Sequence, residues 1–235
     1  MAFPTTRWSL LAQATIHGDL AANAALAEFY RRYREPVVGF IARQPRQETQ
    51  AEDLAQEFFL HLIQGSALRR ADRARGRFRS FLLGALVRFL ARERERAEAE
   101  KRGAGAAAVS LDAAAPCHDE LTVPADIAAA FDREWARDLI LRARGEVEAA
   151  WRAKEGMREF AVLREFLPGA TATPPYEAAA EQLGWPLARL KTEVHRLRRQ
   201  FRDQVRAEVA LTVDAPHEVD AEMSHLRAVL AGAPA

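Results

Sequence analysis

The stretch YEAAAEQLGWPLARLKTEVHRLRRQFRD, residues 176–203, decides how the rest of the chain is read. Its first eight residues have helical composition and run into Gly184, a residue suited to the left-handed backbone that ends helices. A second helix is predicted to begin near Pro186, because proline is tolerated in a first helical turn. Leu183, Leu187, Leu190, Val194, Leu197, Phe201 and Val205 then recur at helical spacing as an apolar stripe. Arg189, Lys191, Thr192, His195, Arg196, Arg199 and Arg202 fall mostly off it. A short helix, a glycine turn and a longer basic amphipathic helix describe a helix-turn-helix, whose second helix enters the DNA major groove. An ordinary surface helix, or a coiled-coil seam with a solvated basic face, has the same pattern.

Outward from this stretch, the chain has 235 residues, with 34 Lys+Arg against 33 Asp+Glu and a formal net charge of +1. Hydrophobic residues at 49% and charged residues at 29% permit a core and exclude wholesale disorder. The net charge excludes a uniformly basic coat but leaves room for segregated patches. The single cysteine, Cys117, has no partner for an internal disulfide and cannot support a thiolate metal cluster. Residues 1–11 lack a basic start followed by a long apolar run, so no secretory signal is expected. The most apolar window, residues 78–90, is interrupted by Arg79 and Arg88 and falls short of the roughly 20 residues of a membrane span. The expectation is a soluble, cytoplasmic protein with no membrane partner.

Helical periodicity dominates and predicts an all-α fold. Residues 20–42 carry Leu26, Phe29, Tyr30, Tyr33, Val37 and Ile41 at spacings of three and four, with Pro36 expected to bend or divide the helix. Residues 50–64 place Leu54, Phe58 and Ile63 on one face and end at Gly65 and Ser66. Residues 78–101 are apolar in their first half and charged in their second. Residues 103–130 are rich in Ala and Gly, hold Pro116 and Pro124, and carry acids without a base, which reads as a flexible acidic linker. Helical pattern resumes at Phe131. The division is an N-terminal extension (1–20), a helical domain (21–102), the linker (103–130), a second helical domain with the helix-turn-helix (131–210) and a tail (211–235). In the tail, Val219, Met223, Leu226 and Leu230 suit a short amphipathic helix, expected to pack on the second domain.

Two further constellations carry charge. Residues 69–102 hold twelve basic and five acidic residues, among them Arg77, Arg79, Arg88, Arg92, Arg94 and Arg96, interleaved with Phe78, Phe81 and Phe89. Arginine beside aromatics suits phosphate pairing and base stacking, although Phe81 and Phe89 sit in an apolar run and read as core. Glu52, Asp53, Gln56 and Glu57 form a polar ridge, one helical turn apart in pairs, that suits either docking on a basic partner or plain solvation. A phosphate loop, GxGxxG after a strand, HExxH and GxSxG are all missing from the sequence, so neither an enzyme, a cofactor nor a metal site is expected.

In this order, three segments resemble the extracytoplasmic-function class of RNA polymerase sigma factors. QAEDLAQEFFLHLI (50–63) resembles the conserved helix of sigma region 2, GRFRSFLLGALVRFLARERERAEAEKR (76–102) the promoter-melting and −10-reading segment, and PYEAAAEQLGWPLARLKTEVHRLRRQFR (175–202) region 4. The resemblance implies two small helical domains, a region 2 bundle and a region 4 helix-turn-helix, joined by a flexible linker. It implies that Glu52, Asp53, Gln56 and Glu57 dock on the β′ clamp helices of core RNA polymerase. Arg77, Arg79, Arg88, Arg92, Arg94 and Arg96 are implied to contact −10 DNA and the opened strand. Arg189, Lys191, Thr192, His195, Arg196 and Arg199 are implied to face the −35 element. Core polymerase, through the clamp and the β flap, and promoter DNA are the implied partners, with an anti-sigma factor or another regulator as a further candidate. Arg88 and Arg92 depart from the Asn and acid common in the family, and Glu193 and Pro186 depart from its usual recognition helix. The other compatible readings are a helix-turn-helix regulator acting without polymerase, against which the arginine-aromatic first domain argues, and a helical adaptor.

Overall fold

Among the described residues of the first half, apolar residues three and four apart build the helices α1 (Leu20–Ala42), α2 (Ala51–Gln64) and α3 (Phe78–Lys101). These are the three predicted stretches. The computed structural model describes residues 20–45, 48–65, 78–101, 123–154, 156–170, 172–213 and 215–232. Among them the regular structure is helical throughout, as the sequence predicts. The N-terminal extension and most of the predicted linker, residues 103–122, lie outside the described residues.

The first three helices close on an aromatic cluster. Phe29 meets Phe59 and Phe78 edge-on, each at 5.6 Å between ring centroids, and Phe58 meets Phe89 at 5.6 Å. Leu82 and Leu86 fill the centre with no exposed surface. Of the two expectations at Pro36, a bend or a division, the division does not occur, and α1 runs through the proline. Proline has no N–H for the carbonyl four residues earlier, and that carbonyl, on Arg32, accepts instead from Arg142 Nη1 at 3.2 Å.

The second half begins earlier than the sequence suggests. Helix α4 (Ala125–Arg152) takes up the last six residues assigned to the linker, whose alanines are strong helix formers. It gives way to α5 (Met157–Leu163) at Gly156, where a Cβ would lie 2.9 Å from the Trp151 ring. Helices α6 (Tyr176–Leu183) and α7 (Leu187–Ala210) follow. The tail folds as α8 (Val219–Leu230), packed on α4 and α7 through Val219, Leu226 and Val229. Leu230, expected on that stripe, is exposed, and Val229 takes its place.

The halves share one core. Helix α1 lies along α4, with Phe40 meeting Phe131 edge-on at 5.6 Å. Charged side chains cross the same seam. Arg32 Nη1 lies 2.9 Å from Glu208 Oε2, which also accepts from Arg142 Nε at 3.1 Å.

Candidate nucleic-acid interface

Gly184 ends α6 with φ 64° and ψ 32°, left-handed backbone that costs glycine nothing. The Trp185 N–H donates to the Ala180 carbonyl at 2.9 Å and the Gly184 N–H to that of Glu181 at 3.0 Å, the paired bonds of a Schellman turn. This turn launches α7 from Pro186. Leu190, Val194, Leu197, Phe201 and Val205 are buried, as their stripe predicts. Arg189, Lys191, Thr192, His195, Arg196 and Arg199 are all exposed, so the six predicted residues share the outer side of one helix.

Several of them are positioned. The Arg189 guanidinium lies 4.1 Å from the centroid of the Trp185 ring, a cation–π contact across the turn. Arg196 pairs with Glu193 at 2.8 Å, so Glu193 holds an arginine on the outer face. Thr192 donates to the Ala188 carbonyl at 3.0 Å. Arg198, outside the predicted set, turns back to donate to the Phe166 carbonyl at 3.0 Å and braces α7 against the preceding turn. Sequence reasoning missed Trp185, although an aromatic directly after a turn glycine and four residues before an arginine is a legible signal.

The second basic surface is divided. Arg92, Arg94 and Arg96 are exposed on the distal half of α3, and Arg88 is half-buried. Arg94 donates to Gln44 at 3.4 Å, and Arg96 pairs with Glu93 at 3.2 Å. Phe78 and Phe89 are core and Phe81 is half-buried against Phe78, so these rings serve packing in this conformation. Arg77 lies outside the described residues. Arg79 departs from its predicted place on a DNA-facing surface. Its side chain is 8% exposed, its Nε lies 2.5 Å from Asp132 Oδ1, and its Nη1 pairs with Glu222. Trp135 lies beneath it at 4.1 Å. Two carboxylates and a ring compensate a guanidinium taken out of water, which is why it can be buried at all.

Glu52, Asp53, Gln56 and Glu57 are exposed on α2, with Glu52 held by Arg34 at 2.5 Å. Leu60 continues the same ridge by helical spacing and is 56% exposed, an apolar side chain at the end of an acidic face. On the flank, His61 lies 6.0 Å from the Phe89 ring. Burial pushes its imidazole below the ordinary range, Arg92 adds to that, and Glu93 opposes it.

Among the described residues, no group of three His, Cys, Asp or Glu side chains is arranged to hold a metal, and no helix is long and apolar enough to cross a membrane. Residues 29–99, which span most of α1, α2 and most of α3, match the family model for sigma-70 region 2. No curated protein and no solved structure matches the chain.

Proposed function

Since the chain belongs to the sigma-70 superfamily of sigma factors, we propose that it is an extracytoplasmic-function sigma factor, working in the cytoplasm, that directs core RNA polymerase to promoters with −10 and −35 elements. Its region 2 gives it a part in polymerase binding and promoter melting. The finer reading is carried by one observation. Beside that region, the chain builds a Schellman-turned helix pair whose second helix exposes Arg189, Lys191, Thr192, His195, Arg196 and Arg199 together.

Each surface suits one task. The acidic ridge of α2 meets the β′ clamp helices, where a charge pattern sets orientation and on-rate, and Leu60 supplies an apolar anchor among the charges. Arg92, Arg94 and Arg96, with Arg88 beside them, draw the −10 phosphates and the opened strand. Helix α7 enters the major groove at −35, most of its cations setting register on phosphate and the rest reading base edges. The second half also meets the β flap. The protein supplies binding energy for recognition and strand opening, and the polymerase does the chemistry.

The test is transcription in vitro with purified core polymerase and a pool of genomic promoters. Asp53→Arg with Glu57→Arg is expected to abolish core binding and promoter-directed transcription, and to leave duplex binding by the same chain within about twofold. A wild-type chain that binds duplex but not core at moderate salt would refute this reading and favour a polymerase-independent regulator. Equal loss of both activities in the double variant would place the two acids in the fold and not at the docking face.

A further inference from the structure

The end of α7 that leads into a groove carries only short side chains on its outward centre line. A recognition helix meets base edges with its N-terminal residues. Helical spacing puts Ala188 and Thr192 one turn apart, opposite the buried Leu190, Val194 and Leu197, and both are exposed. Lys191 flanks this line on one side, and Arg189 and Arg196 flank it on the other. His195 and Arg199 continue it in the turns that follow.

Thr192 is already committed to its own helix. Its Oγ1 donates to the Ala188 carbonyl at 3.0 Å. A threonine hydroxyl has one proton to give, and here it is engaged along the helix, which leaves the γ-methyl to meet a ligand. The tip of α7 therefore offers two methyl groups, Ala188 Cβ and Thr192 Cγ2, between rows of cations.

We infer that Ala188 and Thr192 determine specificity by packing on the 5-methyl groups of thymine, so that the site under the tip of α7 contains A·T pairs. This rests on the reading above, in which α7 enters the major groove. Thymine is the base that presents a methyl group there, and the alanine and threonine methyls are groups that complement it. Guanine, adenine and cytosine are read by long side chains such as arginine, asparagine, glutamine or glutamate. Neither position holds one of these.

Shape favours the same contact. The major groove is about 12 Å wide, and a helix with its side chains is about 10–12 Å across. Short side chains on the leading line let the backbone approach the base edges closely. Lys191 and Arg196, on opposite flanks, then reach the phosphates of the two groove walls. Those flanks supply affinity that is blind to sequence, and the two methyl groups supply the choice of base. Residues four apart on a helix are separated by about 6 Å along its axis, at about 1.5 Å per residue. At about 3.4 Å per base pair that is about two steps, so the two thymines stand within about two positions of each other.

The test removes single methyl groups from each partner. The full-length wild-type chain selects a duplex from a random pool, and each thymine of the selected site is replaced in turn by deoxyuridine, which lacks only the 5-methyl. Binding is followed by anisotropy at one salt concentration. For the wild type, at least one replacement is expected to weaken binding about three- to fourfold, the value of one buried methyl. Thr192→Ser keeps the hydroxyl and loses the methyl, and it is expected to bind the thymine and uracil duplexes alike at that position. Thr192→Val keeps the methyl and loses the hydroxyl, and it is expected to discriminate as the wild type does. Ala188→Gly, checked for wild-type helicity, is expected to lose discrimination at a neighbouring thymine only. A selected site without thymine overturns the proposal, as does equal binding of the wild type to every thymine and uracil duplex. So does discrimination kept by Thr192→Ser or lost by Thr192→Val, since another group would then be the reader. Failure of the groove reading looks different: the pool yields no preferred sequence, and the proposal falls with it.

Discussion

Replacing Trp185 with alanine removes the platform under Arg189 without touching a residue expected to meet DNA. The guanidinium lies 4.1 Å from the ring centroid on an exposed stretch of helix. A cation–π contact of that kind contributes about 0.5–1 kcal/mol. Fixing a long side chain before binding saves about 0.5–1.5 kcal/mol of ordering. These are two views of one restraint and are not summed. If Arg189 binds DNA from its place on the ring, Trp185→Ala weakens binding about two- to tenfold. Trp185→Phe keeps a smaller ring and loses less.

The assay is fluorescence anisotropy at one salt concentration, with a duplex selected by the wild-type chain from a random pool. Arg189→Ala alone is expected to cost about 1–3 kcal/mol if it reads a base edge. The double variant decides the matter: with Arg189 gone, Trp185→Ala should have almost no further effect. The same loss in both backgrounds would mean that Trp185 acts through the Schellman turn, where its N–H bonds Ala180, and not through Arg189. A gain in affinity on Trp185→Ala would refute the reasoning outright, because Arg189 would then have to leave the ring to reach DNA.

Arg196→Ala should weaken duplex binding and lower the slope of log affinity against log salt by about 0.9, the share of one phosphate contact; an unchanged slope places Arg196 away from the backbone. His61 gives a pH dependence. Its folded-state pKa lies below the ordinary 6.5, so the unfolded chain takes up the proton first. Its contribution is complete above 6.5 and is lost as pH falls from there toward the folded value. Urea unfolding at pH 7.5 and 5.5 should show the wild type losing more stability than His61→Gln, and parallel losses would remove His61 from the acid response.

Helices α1, α2 and α3 were legible because each buries one continuous stripe, and stripes are local. The turn at Gly184 was legible for the same reason. The burial of Arg79 was not, since its partners lie 53 and 143 residues away and no window of sequence contains both ends. Length and composition favoured two helical domains, and neither of them reveals that α1 lies along α4. An apolar stripe shows that a helix is covered and never by what. Pro36 leaves the helix undivided for a related reason. A proline frees one carbonyl of the helix besides crowding it, and here a donor for that carbonyl arrives from Arg142, more than a hundred residues on.

A signal was nonetheless present, in the phase of the charges. Glu222 falls between Val219 and Leu226 at the spacing of the buried stripe of α8. Glu208 continues the series Leu197, Phe201, Val205 on α7. Arg32 precedes Val37 and Phe40 on the buried side of α1, and Arg79 stands one turn before Leu82 and Leu83. A charge on an apolar stripe is either an unstable position or half of a buried pair, because a lone buried charge is too costly to keep. Two bases on stripes of the first half and two acids on stripes of the second can satisfy one another only if the halves meet. Buried pairs of this kind add little net stability over apolar packing, so what they report is that the two halves meet and not how firmly they are held.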